Sequence, residues 1–207
     1  MKLFLYGYGG FGKELLSQLL EFGIVPNQFV FGGFVDDTFV STDHETMSFS
    51  DFERILNSGE CIAVAVCIAD PYKRNNVVLK LSKYKNISFP SIFLGTCYSL
   101  DNLNNKGIIQ CKNSIINVGS NIGDFSIICQ SAIVGHDCVI GAHSTLYPFA
   151  FLAGGVKSGK NVQFGAHCSI LQLKSICDNV FVGAGAVVTK NIECPGVYIG
   201  IPAFLKK

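Results

Sequence analysis

Reading every sixth position from Ile116 gives Ile122, Ile128, Val134, Ile140, Leu146, Leu152, Ser158, Phe164, Ile170, Ile176, Val182 and Val188, one column in which only Ser158 is polar. Glycine often stands directly after a column member, as Gly123, Gly135, Gly141, Gly159, Gly165 and Gly183. Four places on lies a second column of small residues or valine, from Ser126, Ala132 and Cys138 to Cys168, Val180 and Ala186, with Lys174 as the misfit. A period of six fits neither the 3.6 of a helix nor the alternation of a lone strand. It fits a prism with three flat sides of short parallel strands, one hexapeptide per side and about eighteen residues per coil. The large aliphatic then fills the middle of each side, the small residue fits near a corner, and the glycine relieves the backbone. The pattern predicts a β-helix over 108–194, a connection over 93–107 where the periodicity loosens, and a tail over 195–207.

The first 92 residues follow other periods. Lys2 to Tyr6 is an apolar run ending in Gly7-Tyr8-Gly9-Gly10-Phe11-Gly12, after which Leu15, Leu16, Leu19 and Leu20 keep helical spacing up to Gly23 and Pro26. A second apolar run, Gln28 to Val35, ends in Asp36-Asp37. Strand, G-x-G-x-x-G loop, helix, strand and acid in this order are the context of a nucleotide-binding fingerprint. The glycines let backbone amides approach an anion at the helix N-terminus, and the aspartates could accept hydrogen bonds from a ribose or a base. The alternative is a βαβ unit whose glycines serve packing alone. Cys61 to Ala69 reads as a buried parallel strand, Asp70-Pro71 starts a helix, and Asn86 to Phe89 reads as a short strand. His44 falls in a polar run that reads as a loop. No room is left for the second half of a dinucleotide fold, so a mononucleotide or nucleotide-sugar is expected rather than a whole NAD.

Composition narrows the function classes. Hydrophobic residues make up 49% of the 207 and charged ones 15%, so much surface must be buried, plausibly between subunits. A net charge of +1 without basic runs argues against nucleic acid. No apolar stretch reaches the roughly 18 residues of a membrane span, and no signal-peptide core follows Met1, so a cytoplasmic protein is expected. The nine cysteines form no C-x-x-C pair, and Cys138 and Cys168 fall in the small-residue column, so most read as small buried hydrophobes. A zinc site from His136, Cys138 and His143 would have irregular ligand spacing, and no metal is expected.

The pair that could do chemistry is His136-Asp137, which belongs to neither inward column. Eighteen residues on, His136 stacks on Gly154 and Asp137 on Gly155, so the pair borders a place lacking two side chains. That combination supplies a proton acceptor and a candidate oxyanion donor in neighbouring coils. His143 and His167 lack an adjacent acid and read as surface residues.

These residues resemble the hexapeptide-repeat sugar acetyltransferases of the sialic-acid O-acetyltransferase type, and within them the bacterial N-acetyltransferases of nucleotide-linked 4-amino sugars, such as that of the bacillosamine pathway. The resemblance rests on the Y-G-x-G-G-x-G start, Asp36-Asp37, Val64 to Arg74, Ile108 to Val156 and the Gly200-Ile201-Pro202-Ala203 tail. It implies a Rossmann-like α/β domain followed by a left-handed parallel β-helix; the hand comes from the resemblance, since six-residue periodicity does not give it. It further implies nucleotide-sugar binding by Gly7, Tyr8, Gly9, Gly10, Phe11, Gly12, Asp36 and Asp37, with His136 as base tuned by Asp137. Acetyl-CoA contacts at His143, Gly154, Gly155, Gly183 and Pro202 and a homotrimer with active sites between subunits are also expected. Two departures stand out: Gly135 replaces a glutamate often found before the histidine, and Cys129-Gln130 replace an asparagine-led polar pair.

The expected function is acetyl transfer from acetyl-CoA to the 4-amino group of a nucleotide-linked sugar for lipopolysaccharide O-antigen or capsule synthesis. The rivals are O-acetylation of sialic acid or another sugar hydroxyl, and a trimeric β-helix scaffold without acyl transfer.

Overall fold

The computed structural model describes residues 1–38, 46–99 and 105–206. His44 and the residues Asp101, Asn102 and Asn104 of the expected connection lie outside them. The chain forms two compact units, Met1–Ser91 and Ile92–Lys207.

The first unit is a parallel five-stranded sheet with helices. Its strands are β1 (Lys2–Tyr6), β2 (Val30–Val35), β3 (Thr46–Met47), β4 (Ile62–Val66) and β5 (Ile87–Ser88), ordered β3-β2-β1-β4-β5. β1 and β4 are central and nearly wholly apolar, as strands buried on both faces must be. The helices are α1 (Gly10–Glu21), a short α2 (Ile24–Asn27), α3 (Phe49–Asn57) and α4 (Pro71–Leu81). α4 starts where the Asp70 carboxylate accepts the N–H groups of Tyr72 and Lys73, both at 2.9 Å, with Pro71 in the first turn. The sequence reading omitted β3 and α3. Ser48 caps α3 by accepting the Asp51 N–H at 3.2 Å, and Phe52 and Leu56 bury its inner face. The chain winds outward from β1 to β3 and then crosses to β4, so the order reverses between β1 and β4, where a crevice opens at the strand C-termini.

The second unit is a left-handed parallel β-helix. One side carries the strand pairs 96–97, 115–116, 133–134, 151–152, 169–170 and 187–188, a second side 121–122, 139–140, 157–158 and 175–176. The third side runs from 92–93 through 127–128 and 163–164 to 204–205. Pairing partners in the middle coils are eighteen residues apart, as Ile133 with Phe151 and Asn121 with Val139. The sixfold aliphatic column forms the core and is buried throughout. Ser158 is tolerated there because the Gly141 N–H reaches its hydroxyl at 3.4 Å.

Both ends of the β-helix extend past the expected limits. Ile92 pairs with Ile109 and Thr96 with Ile115, offsets of 17 and 19 rather than 18, which is why the first coil falls off the six-residue register. At the other end Val180 pairs with Gly196, an offset of 16, and Phe204–Leu205 returns antiparallel on Gly196–Ile199. The segment expected as a tail therefore belongs to the ladder.

The corners explain the glycines differently from the sequence reading. The backbone is left-handed at Asn113, Phe125, Ser131, Asp137, His143, Phe149, Asn161, His167, Leu173 and Asn179, each three places after the inward residue of a side. Such a conformation costs a non-glycine residue roughly 1–2 kcal/mol. Most of these corners offset this with an inter-coil bond, as Asp137 N–H to Val118 O at 3.0 Å and His143 N–H to Asp124 O at 2.8 Å. The glycines after the aliphatics are not at these positions. A Cβ on Gly135 would lie 2.7 Å from the Ala153 carbonyl carbon and the Gly154 nitrogen, so close approach of coils requires glycine there.

Candidate active site on a corner of the β-helix

His136 and Asp137 occupy the corner between the first and second sides, stacked between Val118-Gly119 below and Gly154-Gly155 above. Consecutive residues on a strand point to opposite faces, but the left-handed turn at Asp137 (φ 57°) swings its carboxylate beside the imidazole. Asp137 Oδ2 lies 2.8 Å from His136 Nδ1, with both side chains well exposed in the single chain. A carboxylate only accepts, so in the neutral ring Nδ1 carries the proton and the Nε2 lone pair is free.

The vacancy expected over both glycines is half filled. A Cβ on Gly154 would overlap His136 Nε2 and lie 2.5 Å from Cε1, so the imidazole rests on this glycine as expected. Over Gly155, however, the space is taken by Leu173, whose Cδ2 would be 2.6 Å from an added Cβ. Asp137 turns instead toward Gly119 in the preceding coil, where an added Cβ would overlap Oδ1. Beside the ring opens a pocket of about 370 Å³ lined by His136, Ala153, Gly154, Gln172 and Leu173. The Gly154 N–H has no acceptor among the described residues, while Gly155 N–H is bound to His136 O at 2.8 Å. A free imidazole nitrogen and a free amide thus border one pocket, the parts needed to take a proton and to stabilise an oxyanion.

The other expected acetyl-CoA residues are elsewhere in the single chain. His143 sits on the next corner, stacked on Phe125 with ring centroids 5.3 Å apart. A Cβ on Gly183 would lie 2.8 Å from Ile199 Cγ2, so that glycine makes room for the Gly196–Ile199 strand, and Pro202 is exposed in the turn after it. Cys138 is buried and its thiol faces the carbonyls of His136 and Ala153, so His136, Cys138 and His143 do not converge. Among the described residues no group of three or more His, Cys, Asp or Glu could hold a metal ion.

The first unit carries its own pocket, about 440 Å³, at the β1–β4 crevice, with Gly7, Gly9, Asp36, Asp37, Thr38 and Lys73 among its lining. The glycine loop divides its tasks. Gly7 (φ 115°) passes close to the Cys67 carbonyl, and Gly12 packs where a Cβ would overlap Gly7 O. Gly9 and Gly10 face open space at the start of α1, where helix N–H groups lack partners. Tyr8, Gly10, Phe11 and Gly12 do not line the pocket. Asp36 spends its oxygens on the protein, accepting Tyr8 N–H and the Thr38 N–H and hydroxyl, each at 2.8 Å. Asp37 accepts Tyr6 Oη at 2.7 Å and meets Lys80 Nζ at 3.1 Å. Burial, and then the bond to Asp37, push the Tyr6 phenol above its ordinary range, so it stays a donor. Tyr6, Lys80 and Thr38 were not foreseen, because no local motif links Lys80 on α4 to an aspartate on another element.

The two-unit fold, a Rossmann-like domain and a left-handed hexapeptide β-helix, is shared with solved acetyltransferase structures. PerB from Caulobacter crescentus, solved with CoA and GDP-perosamine, is 25% identical to this chain at a TM-score of 0.87, over 100% of this chain and 98% of that one. The acetyltransferase domain of PglB from Neisseria gonorrhoeae, solved with acetyl coenzyme A, shares the fold at 22% identity and a TM-score of 0.84, over 99% and 98%. The UDP-3-O-acylglucosamine N-acyltransferase of Herminiimonas arsenicoxydans is 36% identical over 67 residues, 32% of this chain, which thereby spans about a fifth (19%) of that relative. No family model matches. Among the described residues no helix is long and apolar enough to cross a membrane.

Proposed function

We propose that this chain is an acetyl-CoA-dependent N-acetyltransferase acting on the 4-amino group of a nucleotide-linked deoxyamino sugar. The observation that carries the reading is the His136–Asp137 pair at 2.8 Å, with Nε2 over Gly154 and a free amide beside the same pocket. Support comes from PerB, of similar architecture over its whole length, which binds CoA and GDP-perosamine. The sugar amine attacks the thioester carbonyl, forming the C–N bond, while His136 Nε2 takes the amine proton. Gly154 N–H donates to the oxyanion, and as the C–S bond breaks the imidazolium returns its proton to the CoA sulfur. The nucleotide is held at the glycine loop, with helix amides of α1 toward its phosphates and the remaining lone pairs of Asp37 toward base or ribose. In this reading His143 reaches the thioester from an adjacent subunit, the complete site belongs to a homotrimer, and the enzyme works in the cytoplasm.

The test is CoA release from acetyl-CoA with a panel of UDP-, dTDP-, GDP- and CMP-linked 4-amino sugars, with the product identified by mass. His136→Ala lowers kcat by about 10²–10⁴ with little change in acetyl-CoA affinity, the loss typical of a general base. Absence of transfer to every sugar, or a variant that keeps its kcat, overturns the proposal.

A further inference from the structure

The left-handed corner does not itself require glycine, since ten other described residues adopt it, from Asn and Ser to Phe and Leu. Gly119 occupies the same column, eighteen residues before Asp137. What excludes a side chain there is the Asp137 carboxylate, since an added Cβ would overlap Oδ1 and lie 3.3 Å from Cγ. At Gly185, a left-handed glycine on another corner, the space for a Cβ is open.

The backbone around the pair is pinned. Ser120, fully buried, donates its hydroxyl to Gly135 O at 2.7 Å and accepts Cys138 N–H at 3.1 Å, clamping both ends of the turn that carries His136-Asp137. Asp137 N–H holds Val118 O at 3.0 Å, fixing the two coils against each other. If a methyl group appears at position 119, the exposed carboxylate is therefore the part that moves.

We infer that Gly119 is a positioning residue: its bare Cα seats the Asp137 carboxylate so that Oδ2 holds the proton on His136 Nδ1 and leaves Nε2 free as acceptor. Nothing at Gly119 touches the pocket, so its effect passes wholly through Asp137 and the tautomer of His136. The inference rests on the acyl-transfer reading for its kinetic consequence, but its structural content is independent of it.

The experiment is Gly119→Ala in the full chain, alone and combined with Asp137→Ala, read by kinetics and by nitrogen-15 spectra of labelled histidine. In the parent protein the His136 resonances show the proton on Nδ1; in Gly119→Ala they move toward the Nε2-protonated tautomer. In kinetics Gly119→Ala lowers kcat by about 10–100-fold with KM for both substrates unchanged, as expected for misplacement of a catalytic group. In the Asp137→Ala background, where no carboxylate is left to displace, the same alanine changes neither the spectrum nor kcat by more than about twofold. An unchanged tautomer in Gly119→Ala overturns the inference whether or not the protein transfers acetyl groups. An equal loss in both backgrounds also overturns it, since strain at the corner would then act without Asp137. A tautomer shift in a protein without acetyl transfer would uphold the seat and refute the function.

Discussion

Gly154→Ala adds one methyl group at the point where the imidazole rests. Gly154 does not have a left-handed backbone, so alanine meets no conformational penalty of the kind that Gly155 would impose. Its N–H is retained, so the oxyanion donor stays in place. The new Cβ would lie 2.5 Å from His136 Cε1 and 2.9 Å from Cδ2, against about 3.5 Å for relaxed carbon contacts. The ring must therefore withdraw by about 1 Å or rotate away. A misplacement of about 1 Å costs roughly 100-fold in rate, or about 2.7 kcal/mol of transition-state stabilisation. The side chain that moves is exposed, so thermal stability changes little; exposed substitutions usually stay within about 0.5 kcal/mol. The assay is initial-rate CoA release at saturating acetyl-CoA, beside a thermal melt of both proteins. Gly135→Ala is the contrasting control, because its Cβ meets only backbone, 2.7 Å from Leu152 O and Ala153 C, and would lower the melting temperature. If Gly154→Ala keeps full kcat, the imidazole does not work from the position seen here. If it unfolds the protein like Gly135→Ala, the glycine serves coil packing and the argument from the ring fails.

Two further expectations follow from burial and exposed apolar surface. Light scattering should give about 67 kDa, three times the 22.4 kDa chain, because Val118, Phe151, Leu171 and Leu173 leave apolar surface exposed beside His136 in one chain; a monomer at micromolar concentration refutes the shared site. Burial raises the Cys168 thiol from its ordinary value near 9 to about 12 and pushes Cys67 up as well, so iodoacetamide at pH 8 should label exposed Cys61 and Cys194 and spare both. For a thiol with a raised folded pKa the stabilisation is whole below the unfolded value and lost above it. Stability should therefore fall between about pH 9 and 12, by up to about 1.4 kcal/mol per pH unit for each such group, in melts run across that range.

The sixfold column was legible because each coil repeats the same demand: one large aliphatic inward per side and one small residue near the corner. Where that demand changes, at offsets of 17, 19 and 16, the reading lost the first coil and the last strands. The corner site was legible because eighteen-residue stacking places Gly154 over His136 from spacing alone. Gly119 is equally legible, one coil backward, by the same eighteen-residue spacing. The direction in which Asp137 turns is set by the left-handed corner, which the residue type does not announce when Phe, Asn, His and Leu all adopt it. In the first unit, G-x-G-x-x-G marked the crevice. Asp36 looked like a ligand group, yet its oxygens hold Tyr8 and Thr38, so it shapes the loop more than it faces the pocket. Helix α3 is legible too, since Ser48 three places before Asp51 is a capping signal ahead of Phe52 and Leu56.

The corner also explains why a histidine and its adjacent acid can work together in a chain made almost wholly of two-residue strands. On a flat side they would point to opposite faces; only the second and third places after an aliphatic lie on a turn that brings neighbours together. At the corner of the pair those places are fixed between coils by the N–H of a left-handed residue, bound to the carbonyl nineteen residues earlier, as Asp137 to Val118 and Gly155 to His136. What the coils below and above present at the same corner therefore decides the geometry of the pair. Here each presents a glycine, Gly119 under the carboxylate and Gly154 against the ring. The parts of the proposed acyl-transfer site are thus distributed over three successive turns of one corner. Changing any of the three shifts the same proton on His136 Nδ1 or the same lone pair on Nε2.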